Sequence, residues 1–137
     1  MKEYIWKSIC LNELNFDDMK EHVICESDSI FYTPTTIPEQ CITTALNCVM
    51  EELNGTVRHE CTDKQGYINR TLDFLNTIIT KRKTGHALID STECDCHKWP
   101  QTPLAMFLNE TRTLLQLHCT EVKRDLQRLH QGTSQEA

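Results

Sequence analysis

Eight cysteines in a chain of 137 residues constrain this sequence more than any other feature. They are Cys10, Cys25, Cys41, Cys48, Cys61, Cys94, Cys96 and Cys119. An even number at this density is typical of a disulfide framework, and cytosolic proteins rarely carry so many unless they bind metal. N-glycosylation sequons also begin at Asn54, Asn69 and Asn109. Together the two signals predict a secreted, extracellular glycoprotein.

Charge and hydropathy exclude several classes of partner. The net charge is −6, so neither nucleic acid nor an anionic membrane surface is an expected partner. The apolar runs are short, and we expect no membrane insertion. Charged and polar residues interrupt residues 1–20, so we expect no signal peptide there and interpret the sequence as a mature region.

Four segments carry apolar residues at helical spacing: about 3–25, 37–54, 65–83 and 102–130. The clearest stripe lies in the second segment and consists of Ile42, Ala45, Leu46, Val49 and Leu53. We found no clean strand alternation, so the predicted class is all-α. We expect one domain over 1–130, followed by a polar, disordered tail over 131–137.

The connections between these helices predict their topology. Two long connections, about 26–36 and 84–101, flank a shorter one. An up-up-down-down four-helix bundle needs this arrangement, because each parallel pair of helices requires the chain to cross the length of the bundle. The sequence therefore predicts a short-chain four-helix bundle stapled by disulfides.

This topology narrows the cysteine pairings, which sequence alone leaves open. Two pairs join cysteines at matching ends of the bundle: Cys10–Cys119 and Cys25–Cys61. The other four cysteines would pin the last long loop to helix two. We expect the pairs Cys41–Cys94 and Cys48–Cys96, and the swapped pairing stays open.

Several motifs resemble one cytokine family. The run Cys41-Ile-Thr-Thr-Ala-Leu-Asn-Cys48 resembles the cysteine pair on the second helix of interleukin-15 and interleukin-21. Cys94-Asp-Cys96 and the later Phe107-Leu108 and Gln116 look like the loop and last helix of the same cytokines. The spacing departs from interleukin-15, which has Cys-x-x-Cys in this loop. The chain resembles the interleukin-2/interleukin-15 family, and its interleukin-15-like branch most.

The resemblance implies a secreted cytokine that binds alpha, beta and common gamma receptor chains and regulates lymphocytes. Such a protein is no enzyme, needs no cofactor or metal, and exists as a monomer or bound to its alpha receptor. The residues that it assigns to the alpha receptor are Asp28, Tyr32, Glu51 and Glu52. Those assigned to the beta chain are Glu13, Asn15, Asp17 and Asn69. The gamma chain is assigned Gln116, a neutral amide that both donates and accepts hydrogen bonds.

Two other classes of protein are alternatives to a cytokine. A secreted, disulfide-rich helical enzyme would need a nucleophile with a partner base, and no recognisable motif provides one. A zinc-stabilised module could use Cys94, Cys96 and His97, with His118 or Cys119. Structural zinc sites space paired ligands by two or more residues, so a lone Cys-x-Cys-His is a weak signal, and disulfides are favoured.

Overall fold

The computed structural model describes residues 16–85 and 94–136, which are mostly helical. The four principal helices are α1 (Phe16–His22), α2 (Ile42–Glu52), α3 (Tyr67–Gly85) and α4 (Leu104–Glu136). A 3-10 turn, Glu39–Cys41, precedes α2. After α2 the chain stays helical through a π-helical turn, Leu53–Val57, and a last α-helical turn, Arg58–Glu60.

The apolar stripes that predicted these helices form the core. All five residues of the α2 stripe are buried, and α2 packs chiefly against α3 and α4. The most deeply buried residues of the other helices include Phe16, Met19, Leu75, Phe107, Leu108, Leu114 and Leu115. Burying one such side chain contributes about 1.5–3 kcal/mol, so packing rather than intrinsic helix propensity stabilises these helices.

The ends of the first two helices differ from the predicted ones. α1 ends at His22 rather than near residue 25, because Ile24 and Cys25 form a strand; its predicted start, 3–15, lies outside the described residues. The helical path after α2 continues to Glu60 rather than 54. Val57, which is fully buried, extends the α2 stripe by one more turn.

Two short antiparallel ladders correct the all-α prediction. β1 (Ile24–Cys25) pairs with β3 (Cys61–Thr62), and β2 (Phe31–Tyr32) pairs with β4 (Gln101–Thr102). Ladders of two residues are too short to produce an alternating pattern, so the sequence gives no sign of them. They attach the first crossover, residues 23–38, to the two later connections.

α4 is longer than predicted. It runs for 33 residues to Glu136, so the backbone of 131–136 is helical where we expected a disordered tail. Extending an existing helix fixes one residue for each hydrogen bond gained, whereas starting a new helix fixes several. A polar segment can therefore continue a helix that it could not begin.

Three of the four expected disulfides are present. They are Cys25–Cys61, Cys41–Cys94 and Cys48–Cys96. Cys10 lies outside the described residues, so the expected Cys10–Cys119 pair stays a prediction; Cys119 itself is buried in α4.

Candidate functional site

Two disulfides hold the segment 94–100, here called the strap, along α2. Cys94 is bonded to Cys41, immediately before α2, with a Cα–Cα distance of 5.4 Å, and Cys96 is bonded to Cys48 within α2, at 6.4 Å. Cys41 and Cys48 lie about two turns apart and so face the same side of the helix. The strap therefore runs in the same direction as α2 and has a fixed position on it.

A second set of contacts shapes the strap itself. The Asp95 carboxylate accepts hydrogen bonds from the His97 backbone N–H at 3.0 Å and from the His97 Nδ1 at 3.2 Å. The backbone hydrogen bond from His97 is the main reason that the pKa of Asp95 lies below its ordinary value. Asp95 therefore stays anionic at neutral pH and supports the 3-10 turn Cys96–Lys98.

The strap meets the first crossover at a tyrosine. The ring of Tyr32 lies edge-on to that of His97, with centroids 5.7 Å apart. The Tyr32 backbone N–H donates to Glu52 Oε2 at 2.7 Å. Three separate chain segments thus converge in one half-exposed cluster, the tyrosine patch, which consists of Tyr32, Glu52, Asp95 and His97.

The residues assigned to the alpha receptor are only partly brought together. Tyr32 and Glu52 are in contact, but Glu52 is half-buried by this hydrogen bond, where we had expected a fully exposed side chain. Glu51 is exposed and accepts a hydrogen bond from Asn47 at 3.2 Å. Asp28 is exposed in the turn that precedes β2. Glu51 is therefore the more available carboxylate of the helical pair.

The residues assigned to the beta chain are less completely described. Glu13 and Asn15 lie outside the described residues. Asp17 is exposed and forms an ion pair with Arg112 on α4 at 3.2 Å. Asn69 is exposed on α3 and accepts a hydrogen bond from Arg58 at 2.7 Å. The structure does not place these residues in one cluster.

Two sequons share one arginine. Arg58 donates through Nε to Asn54 Oδ1 at 3.2 Å and through Nη2 to Asn69 Oδ1 at 2.7 Å. Asn109, the third sequon asparagine, accepts a hydrogen bond from Lys20. All three asparagines are exposed on helices, whereas the sequon threonines Thr71 and Thr111 are buried. Glycans at Asn54 and Asn69 would cover a common surface.

Gln116, the residue assigned to the gamma chain, is exposed on α4. Its neighbour Leu117 is also 40% exposed, which is high for a large apolar side chain. An exposed amide beside an exposed leucine suits a contact that combines apolar area with one hydrogen bond.

Sequence reasoning missed a buried polar cluster. The Arg82 side chain, in the last turn of α3, is only 7% exposed and points into the protein. It donates to Thr43 Oγ1 at 2.7 Å, to His118 Nδ1 at 2.8 Å and to both Glu121 oxygens at 3.4 Å. This Arg82 cluster joins α2, α3 and α4, and a stripe of apolar residues gives no sign of it.

The two cysteines of the candidate zinc site form disulfide bonds instead. Cys94 and Cys96 are in disulfides, so their sulfurs cannot bind zinc as thiolates in this state. Among the described residues, one group has metal-ligating atoms within 4.8 Å of one another: Asp18, Glu21 and His22. Residues spaced in this way on an exposed helix are common without a metal, and we assign this group no role.

Comparisons with protein-family models, with curated proteins and with solved structures found no match. Within residues 16–85 and 94–136, no helix is long and apolar enough to cross a lipid bilayer. The function of the chain has to be inferred from its own residues.

Proposed function

We propose that this chain is a secreted cytokine with an up-up-down-down four-helix bundle that binds receptors of the interleukin-2/interleukin-15 type. The observation that carries the proposal is a set of contacts between helices that supports these relative directions, because this topology with two long crossovers is typical of helical cytokines. The disulfides and the exposed surfaces described above add support.

Contacts near the helix ends support parallel directions for α1 and α2. Cys25, just after α1, is bonded to Cys61, just after the helical path of α2. The C-terminal ends of these two helices therefore lie together. The first crossover, residues 23–38, has to run back along α2, a helix of 11 residues, before α2 begins. A long connection at this place fits an up-up start.

Other contacts support a direction for α3 and α4 that is opposite to that of α1 and α2. Arg82, late in α3, and Glu121, midway along α4, meet Thr43 at the start of α2 through the Arg82 cluster. Between α1 and α4, Asp17 contacts Arg112 and Lys20 contacts Asn109, so the residue numbers rise on one helix as they fall on the other. These pairings support a down-down second half.

In this proposal two separate surfaces bind two receptor chains. The tyrosine patch with Glu51 and Asp28 contacts the alpha receptor, where acidic groups around an aromatic ring suit a basic partner. Gln116 and Leu117 on α4 contact the common gamma chain. The beta-chain surface involves the exposed face that carries Asp17, since glycans at Asn54 and Asn69 would obstruct the other assigned face.

Binding of the oxidised, secreted protein to isolated alpha, beta and gamma receptor ectodomains tests this function. We expect saturable binding to the alpha ectodomain and to a beta–gamma pair. A reduced and alkylated sample of the same protein is the matched control. Failure of the oxidised protein to bind any of the three ectodomains contradicts the proposal.

A further inference from the structure

A cleft of about 190 Å³ lies beside the tyrosine patch, between the first crossover and the strap. One wall is formed by residues 35–38, and the other by Trp99 and Pro100. Ala45 and the Cys41–Cys94 disulfide also line it, and the charged groups are Asp95 and Lys98. The cleft thus combines apolar lining with an anion and a cation.

The walls of the cleft are fixed before any partner arrives. The Thr33 backbone N–H donates to the Pro100 carbonyl at 2.9 Å, and the Thr33 and Thr102 hydroxyls are 2.5 Å apart. The disulfide joins the strap to the 3-10 turn before α2. A preformed site loses less conformational entropy on binding than a mobile one.

Backbone strain marks one wall. Thr36 has a φ of 49°, and among the described residues it is the one non-glycine residue with positive φ. This conformation is unfavourable for a β-branched residue and persists only where surrounding structure imposes it. Strain of this kind is concentrated at ligand-binding and switch segments.

The size of the cleft indicates what it can hold. An apolar cavity of about 150 Å³ binds benzene in another protein, so a cleft of this volume can hold one aromatic side chain. The indole of Trp99 offers a surface for an aromatic contact. A larger group, such as a helix, would not fit.

The charged groups around the cleft indicate which kind of partner residue can lie next to the bound aromatic side chain. Asp95 links the cleft to the tyrosine patch through His97, and the other carboxylate of that patch is Glu52. A basic residue of the partner is favoured beside this acidic side. Aromatic residues and arginine are also the commonest energetic anchors of protein interfaces.

We infer that the cleft is a binding subsite that receives one aromatic side chain of the alpha receptor, with a basic receptor residue beside it at Asp95. This inference rests on the proposed function and adds to it a specific anchor. It lies outside the residues that the sequence assigned to receptor binding, apart from its link to Tyr32 and Glu52 through Asp95 and His97.

Filling the cleft tests the inference. Thr35→Trp puts a bulky ring at the wall, and we expect the affinity for the alpha ectodomain to fall about thirtyfold, as for loss of an anchor residue. Thr77→Trp makes the same change at an exposed position of α3 and should leave the affinity unchanged. If Thr35→Trp fails to fold, Thr35→Leu fills the cleft with a smaller side chain at the same position.

A small probe gives an independent readout. Indole, titrated into isotope-labelled wild-type protein, should produce saturable NMR shifts at the amides of residues 95–99. Those shifts should be lost in Thr35→Trp and retained in Thr77→Trp. Equal alpha-receptor affinity of folded Thr35→Trp and wild type overturns the cleft inference alone, whereas failure of wild type to bind any ectodomain overturns the proposed function beneath it.

Discussion

Two clusters in this protein each join three chain segments, yet they differ in burial. The Arg82 cluster is enclosed by α2, α3 and α4, and the Arg82 and Glu121 side chains are only 7% and 10% exposed. In the tyrosine patch, the His97 side chain is 81% exposed. Coulombic contacts are strong where water is excluded and weak where it is not. The first cluster therefore serves stability, and the second leaves its polar groups available to a partner.

The largest expected effect follows from removing the buried cation. Arg82→Met takes away the positive charge that faces Glu121, and breaking a buried ion pair costs about 3–5 kcal/mol of unfolding free energy. Arg124→Met, the control, breaks an ion pair with Glu39 whose side chains are 52% and 58% exposed, and should cost about 1 kcal/mol or less. Urea unfolding measures both. Equal losses would remove the distinction between the two clusters.

The next effect concerns the strap. Replacing both Cys48 and Cys96 by serine opens a loop with a sequence separation of 48, and we expect a stability loss of about 2–4 kcal/mol. Alpha-receptor binding should fall with it, because the strap loses one of its two attachments. The matched control is the Cys25→Ser, Cys61→Ser double variant, which should lose similar stability but keep most of its alpha-receptor binding. Equal binding losses in the two variants would show that the strap has no special role.

A smaller difference is expected within the glutamate pair. Glu52→Ala leaves the Tyr32 N–H without its carboxylate acceptor and should cost about 1–3 kcal/mol. Glu51→Ala changes an exposed side chain and should stay within about 0.5 kcal/mol. Denaturant unfolding and amide hydrogen exchange at Tyr32 report on the difference. Unchanged Tyr32 exchange in Glu52→Ala would mean that this hydrogen bond does not hold the first crossover.

The smallest effect is a pH dependence of the strap. Because hydrogen bonds from His97 lower the pKa of Asp95 in the folded state, their contribution is present above the unfolded pKa of about 3.9 and is lost as pH falls through the lower folded value. Acid should therefore loosen the turn at residues 96–98. NMR of the His97 amide between neutral and strongly acidic pH checks this, with Asp95→Asn as the control that should already lack the transition. A transition that persists in Asp95→Asn would assign it to another group.

Part of the fold could be predicted from sequence because it depends on spacing. The α2 stripe repeats at helical intervals, so its burial could be predicted. Comparing the ends of the predicted helices reduced the possible cysteine pairings and favoured Cys25–Cys61. The ladders of β1 to β4 could not be predicted, since two residues carry no period. The Arg82 cluster could not be predicted either, because the partners of Arg82 lie on other helices: Thr43, His118 and Glu121.

The candidate site was predictable to a smaller extent. The motif around Cys41 and Cys48 indicated that a loop would be fixed on α2. It did not show that His97 contacts Tyr32, or that Glu52 accepts a backbone hydrogen bond. Such roles arise only when distant segments meet, and sequence spacing contains no information about that meeting.

The most direct test of the proposed function measures two variants against two isolated receptor ectodomains. Gln116→Asp puts an uncompensated charge into the proposed gamma-chain contact, which should cost several kcal/mol, so gamma binding should be lost and alpha binding kept. Glu51→Lys reverses an exposed charge at the proposed alpha-receptor surface, so association with the alpha ectodomain should slow, less so at high salt, while gamma binding should stay unchanged. Surface plasmon resonance gives all four values. Weakened alpha binding by Gln116→Asp, or unaltered alpha binding by Glu51→Lys, would contradict two separate receptor surfaces.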